Sequence, residues 1–116
     1  SDVIPSVSPI PAGGYGVIVT TNTTVTVPIS AILIQLSTLT IAGGLANTGD
    51  KVILMNTSNT TIDAMSYGSN TDVFPTPPGA PATGLTLSRI PNGTDTDAAG
   101  DWNNTTNPST GSANIL

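Results

Sequence analysis

Residues 89–102, RIPNGTDTDAAGDW, hold most of the chemistry this sequence could perform. Asp95, Asp97 and Asp101 are spaced two and four residues apart, with Asn92 and several backbone carbonyls close by, which is the hard-oxygen material of a Ca²⁺ loop. The glycine at the sixth position and the glutamate at the twelfth that define an EF-hand are missing. The competing reading is structural: Asx side chains bond to their own backbone and fold it into turns. Arg89 and Trp102 flank the loop. An exposed aromatic beside acids can bind carbohydrate, whereas a single Trp in a β protein more often plugs a core or a corner.

Other chemistry has little to draw on. There is no His, Cys or Glu, so Ser-His and Cys-His nucleophile pairs and a conventional zinc site are ruled out. Two aspartates could hydrolyse a glycoside only if poised across a cleft, and the sequence gives no sign of one. Lys51, the sole lysine, could join an Asn through an isopeptide bond promoted by Asp63; a solvated Lys51, or one paired with Asp50, is the plainer expectation. N-x-S/T acceptors for glycosylation fall at Asn22, Asn56, Asn59, Asn92, Asn103 and Asn104, although a chain so rich in Asn and Thr makes such triplets by chance.

The elements that must carry these residues are strands. Helical periodicity is absent, while β-branched runs bounded by Gly, Pro, Asn or Asp recur at 15–20, 24–36, 38–41, 51–56, 61–68 and 84–90. The apolar run at 51–56 reads as a strand covered on both faces, and 61–68 and 85–89 read as half-exposed strands. Residues 57–60 form a hairpin turn between the first two of these. Four prolines between 70 and 83 predict a long surface loop. A second loop spans 91–112, and 113–116 is a candidate closing strand. The sum is an all-β sandwich of about seven short strands.

The 116 residues suit one domain, and Val, Ile, Leu and Phe make up roughly a quarter of them, enough to fold. A net charge of −5 with only two cations cannot neutralise a run of phosphates, so nucleic acid and anionic membranes are poor partners. No apolar run approaches the roughly 20 residues of a spanning helix. Thr, Ser and Asn solvate the surface in place of charge, as in secreted and cell-surface proteins. The N-terminus lacks the residue order of a signal peptide, which suits a processed product or a fragment.

Three stretches taken together resemble a known family: PAGGYGVIV at 11–19, LANTGDKVILMNTSNTTIDAMSYGS at 45–69, and LTLSRIPNGTDTDAAGDWNNTTNPSTGSAN at 85–114. Their order is similar to that of the lamin tail domain, and they cover about three-quarters of the chain. The resemblance implies an immunoglobulin-like β-sandwich, common in bacterial secreted and cell-surface proteins, with DTD as a fold signature.

The family normally opens with two strands before the PAGGY segment, and only residues 1–10 precede it here. In exchange, residues 20–46 are strongly apolar and need cover. A sandwich short of strands leaves an open edge that pairs with any available strand. Either 24–36 folds back within the chain, or a neighbouring copy completes the sheet as in donor-strand complementation, with residues 1–10 or 24–36 as donor. Head-to-tail donation that does not close a ring builds a filament. The expectation is thus a single lamin-tail-like domain over 1–116, non-enzymatic, with no required cofactor, extracellular or on the cell surface, and assembling with copies of itself. The alternatives are a monomeric adhesion module that binds calcium or carbohydrate through the aspartate loop, and an accessory piece of a secreted nuclease or hydrolase.

Overall fold

The computed structural model describes residues 1–7 and 9–116. It is β-rich with almost no helix. Among the described residues, six strands form three two-stranded sheets: β1 (Gly16–Val19) with β2 (Ile32–Gln35), β3 (Gly49–Met55) with β4 (Thr61–Gly68), and β5 (Thr86–Arg89) with β6 (Trp102–Thr105). A 3-10 turn, Ala99–Asp101, leads into β6. No helix among the described residues is long and apolar enough to cross a membrane.

Two compact units are distinguished, the first made of Ser1–Leu45 with Ser109–Ala113 and the second of Ala46–Pro108 with Asn114–Leu116. In the first unit β1 and β2 run parallel, Gly16 facing Ile32 and Val19 facing Gln35. Val17, Val19, Ile34 and Leu36 are its buried apolar residues. The apolar stretch 24–36 does not form one long strand. Pro28 has no N–H to give a ladder, its carbonyl accepts from the Ala31 N–H at 2.9 Å, and this turn delays the strand until Ile32. Nor is 38–41 a strand. The Thr38 hydroxyl is hydrogen-bonded to the Thr40 carbonyl and to the Asp2 carboxylate, which also accepts from the Ala42 N–H. These contacts tie the chain's first residues to the loop at 38–42.

In the second unit β3 and β4 form the expected hairpin. Asn56 organises its turn, its side-chain oxygen accepting from the N–H groups of Ser58 and Thr60. Burial along the hairpin corrects the sequence expectation. Lys51 to Met55 of β3 are exposed rather than covered on both faces, and β4 does not alternate: Met65, Ser66 and Tyr67 are buried in succession. The cause is the proline-rich loop after β4. It has no strand among residues 70–83, as expected, and it brings Phe74 to the base of the hairpin. There Met65, Tyr67 and Phe74 form the core, packed by Val73, Ala80, Leu87, Ala99 and Trp102. Ser66, 0% exposed on the opposite face, accepts from the Phe74 N–H at 3.0 Å. The Tyr67 hydroxyl donates to the Ala46 carbonyl, and burial, then the Asp50 charge, raises its pKa.

The second loop was expected to be uninterrupted from 91 to 112, but it contains β6. Trp-Asn-Asn-Thr has no apolar alternation to announce a strand; it is held by antiparallel pairing with β5, Thr86 facing Thr105 and Arg89 facing Trp102. The candidate strand at 113–116 is absent. Instead, the Asn114 N–H donates to the Asn92 side chain, and the Thr105 hydroxyl donates to the Ile115 carbonyl.

Candidate functional site

The aspartate loop lies in the second unit, and its geometry begins with the β5–β6 register. Pairing sets Arg89 across from Trp102, and the guanidinium stacks 4.8 Å from the ring centre. From there the Arg89 Nη2 reaches two carboxylates, Asp63 on β4 at 2.9 Å and Asp95 in the loop at 3.2 Å. The Arg89 side chain is 17% exposed, so this ion pair is partly withdrawn from water. The Arg89 Nε is buried with no hydrogen-bond partner among the described residues, a deficit that stacking on the indole partly offsets.

Each aspartate of the loop has its own task. Asp95 accepts from the Asp97 N–H at 3.2 Å as well as from Arg89, which closes an Asx turn. Asp97 is exposed and takes a left-handed backbone, φ +55°, a conformation that Asp tolerates better than most residues. Asp101 is buried and accepts from the Thr96 N–H at 2.7 Å and the Thr96 hydroxyl at 2.8 Å, with the Ala98 N–H more distant at 3.4 Å. The Thr96 bonds hold the Asp101 carboxyl below its ordinary pKa; burial opposes them, and the Ala98 N–H and the Arg89 charge add to them. Ala98 itself has no side-chain acceptor, so the cap of this turn is one-sided, with Asp101 reaching back.

Asp95, Asp97 and Asp101 are therefore not pooled into one cage, and no group of three or more His, Cys, Asp or Glu placed to hold a metal occurs among the described residues. Asp63 and Asp95 do come together, but across a shared guanidinium rather than an open cleft. Trp102 is half-buried and packs against the core as a plug. Thr96, the residue between the first two aspartates, was missed as an anchor; a hydroxyl between two Asx residues was the signal available.

Lys51 pairs with neither of its expected partners. Its Nζ lies 2.7 Å from Asp72, a pair exposed to water that raises the Lys51 pKa and lowers that of Asp72. Asp50 turns instead to the N–H groups of Lys51 and Ala46, which lower its pKa. Asp63, the proposed promoter of a cross-link, is engaged by Arg89. Among the glycosylation candidates, Asn22, Asn56, Asn59, Asn92 and Asn104 are exposed and Asn103 is half-buried in β6. Asn59 sits at the hairpin turn with φ +59°, and the Asn104 amide donates to the Gly79 carbonyl.

No protein-family model, curated protein or solved structure matches the chain.

Proposed function

We propose that this chain is a non-enzymatic, extracellular structural module that assembles with copies of itself through β-strand complementation. In this reading the three small sheets belong to an immunoglobulin-like sandwich resembling the lamin tail domain, and neighbouring copies complete it. The aspartate loop serves as its scaffold: Arg89, Asp63, Asp95, Asp101 and Thr96 fasten β4, β5 and the turn before β6 to one another.

The observation that carries the reading is the unpaired edge of every strand. Each sheet has only two strands, so every strand keeps one edge without a ladder partner among the described residues, and isolated two-stranded sheets are marginal in water.

Size-exclusion chromatography with light scattering, followed by negative-stain imaging, tests this. Concentration-dependent growth beyond the monomer mass, with regular filaments, is expected. A strict monomer across the accessible concentration range would overturn the reading.

A further inference from the structure

Six of the ten asparagines open an N-x-S/T triplet, and Asn107 misses only because Pro108 occupies the middle position. Ser and Thr make up roughly a quarter of the chain, so composition alone would place about three such triplets. The motif is in excess, and the fold separates its copies. Sugar transfer to Asn uses two groups, the side-chain Nδ2 that takes the sugar and the hydroxyl two residues on. A glycan is bulky and stays in water, so in the folded chain both groups must face solvent.

Four of the six triplets fall short of that condition. Asn103 is half-buried in β6, and its hydroxyl is that of Thr105, 4% exposed and donating to the Ile115 carbonyl. Asn104 has an exposed partner in Thr106, but its own Nδ2 donates to the Gly79 carbonyl. The Asn92 side chain accepts from the Asn114 N–H, and its partner Thr94 is half-buried. Asn56 is exposed, yet its amide is fixed against the hairpin turn by the Ser58 and Thr60 N–H groups. Asn22 and Asn59 meet the condition: both are exposed, as are their partners Thr24 and Thr61, and neither side-chain amide has a hydrogen-bond partner among the described residues. Each rides on a tight turn. The Thr23 N–H donates to the Thr20 carbonyl at 3.2 Å around Asn22, and the Asn59 N–H donates to the Asn56 carbonyl at 3.0 Å, with φ +59° at Asn59.

We infer that Asn22 and Asn59 are N-glycosylation sites of this chain. The co-reactant is an oligosaccharide carried on a lipid diphosphate, joined by a transferase on the export route. The Asn Nδ2 forms a bond to C1 of the first sugar, the C1–O bond to phosphate breaks, the lipid diphosphate leaves with the electron pair, and the amide gives up one proton. At Asn59 the sugar stands at the tip of the β3–β4 hairpin. There it shields Met55 and Ile62, which the fold leaves 45% and 61% exposed, Met55 facing the acceptor hydroxyl's own residue, Thr61, in the ladder. This inference rests on the extracellular part of the proposed function and is independent of strand complementation.

The test is intact mass and glycopeptide mapping of the chain recovered from the secreted or cell-surface fraction of the cells that make it. Sugar at Asn22 and at Asn59 is expected. Thr24→Ala and Thr61→Ala keep each Asn but remove its hydroxyl, and each is expected to lose one glycan mass, whereas Thr24→Ser and Thr61→Ser retain it. Asn104→Gln is expected to leave the sugar content unchanged. An exported chain whose mass is that of its residues alone overturns the inference, as does sugar confined to the other four triplets. Sugar missing from one of the two positions overturns the assignment of that position. Mapping of the unaltered chain decides these outcomes even where a variant is not exported. A chain found only in the cytoplasm overturns the extracellular reading as well, whereas a glycosylated strict monomer overturns strand complementation alone.

Discussion

Arg89 and Trp102 face each other across the β5–β6 ladder, with the guanidinium stacked 4.8 Å from the indole centre and two carboxylates on its Nη2. Removing the cation would leave Asp63 and Asp95 facing each other without their shared partner. Arg89→Met is therefore expected to destabilise by about 1–3 kcal/mol. Arg89→Lys keeps the charge but loses the planar stack and the fork, so its loss should be smaller but measurable. Urea unfolding followed by the fluorescence of Trp102, the chain's only tryptophan, gives both values. Equal midpoints for all three proteins would mean that the cluster contributes nothing to stability.

The same loop sets the response to acid. Asp101 is held below its ordinary value of 3.8, first by the Thr96 N–H and then by the Thr96 hydroxyl. Asp50 and Asp72 are lowered as well, by the Lys51 N–H and the Lys51 ammonium respectively. A carboxyl depressed in the folded state stabilises it fully above the unfolded pKa and loses that contribution as pH falls through the folded one. With no His in the chain, the melting temperature should be nearly level between about pH 5 and 8 and fall below pH 3.8. Asp101→Asn should melt lower at neutral pH and show a shallower acid limb. Asp72→Asn, an exposed position, should change little.

Calcium binding would require the loop to release bonds it already makes. Asp95 is shared with Arg89, and Asp101 spends its oxygens on Thr96 and Ala98. The melting temperature in millimolar calcium is therefore expected to equal that in chelator. A ligand confined to the folded form would raise it by mass action, so an increase of several degrees would mean that the loop rearranges around the ion.

Ser66 is a small polar residue in a fully enclosed position, and its oxygen is the acceptor for the Phe74 N–H. Ser66→Ala barely changes volume but strands that donor in the core, a loss of about 1–3 kcal/mol. Chemical denaturation checks the value. Amide exchange at Phe74 should accelerate in the variant, and unchanged exchange would show that another acceptor takes over.

What the sequence disclosed was set by local signals. The β3–β4 hairpin was legible because Asn56 and its turn lie between two β-branched runs, and the loop at 70–83 because prolines cannot feed a ladder. Strand β6 was hidden: Trp-Asn-Asn-Thr becomes a strand through its pairing with β5, a contact between distant residues. The length of β2 was overestimated because apolar content outweighed the single Pro28. Asp95, Asp97 and Asp101 were recognisable as a unit, but their separate partners Arg89, Thr96 and Ala98 depend on how the loop closes. Nothing local could pair Lys51 with Asp72 across the second unit.

Gly68 closes the base of the hairpin in a left-handed conformation, φ +62°, and a Cβ there would lie 2.1 Å from the Thr48 carbonyl oxygen. Gly84 has a similar backbone, φ +84°, with no atom within 4 Å of the same position. The pair separates backbone strain from collision. Gly84→Ala should cost only the strain of placing an L-residue there, about 1 kcal/mol. Gly68→Ala must also displace main chain at Thr48 and Gly49, so a loss above ~3 kcal/mol is expected. Because Gly68 follows Tyr67 directly, the core beneath the hairpin should loosen with it, and Trp102 emission should shift toward that of the unfolded chain. Equal losses at the two positions would mean that the approach of Thr48 to Gly68 does not constrain the hairpin base.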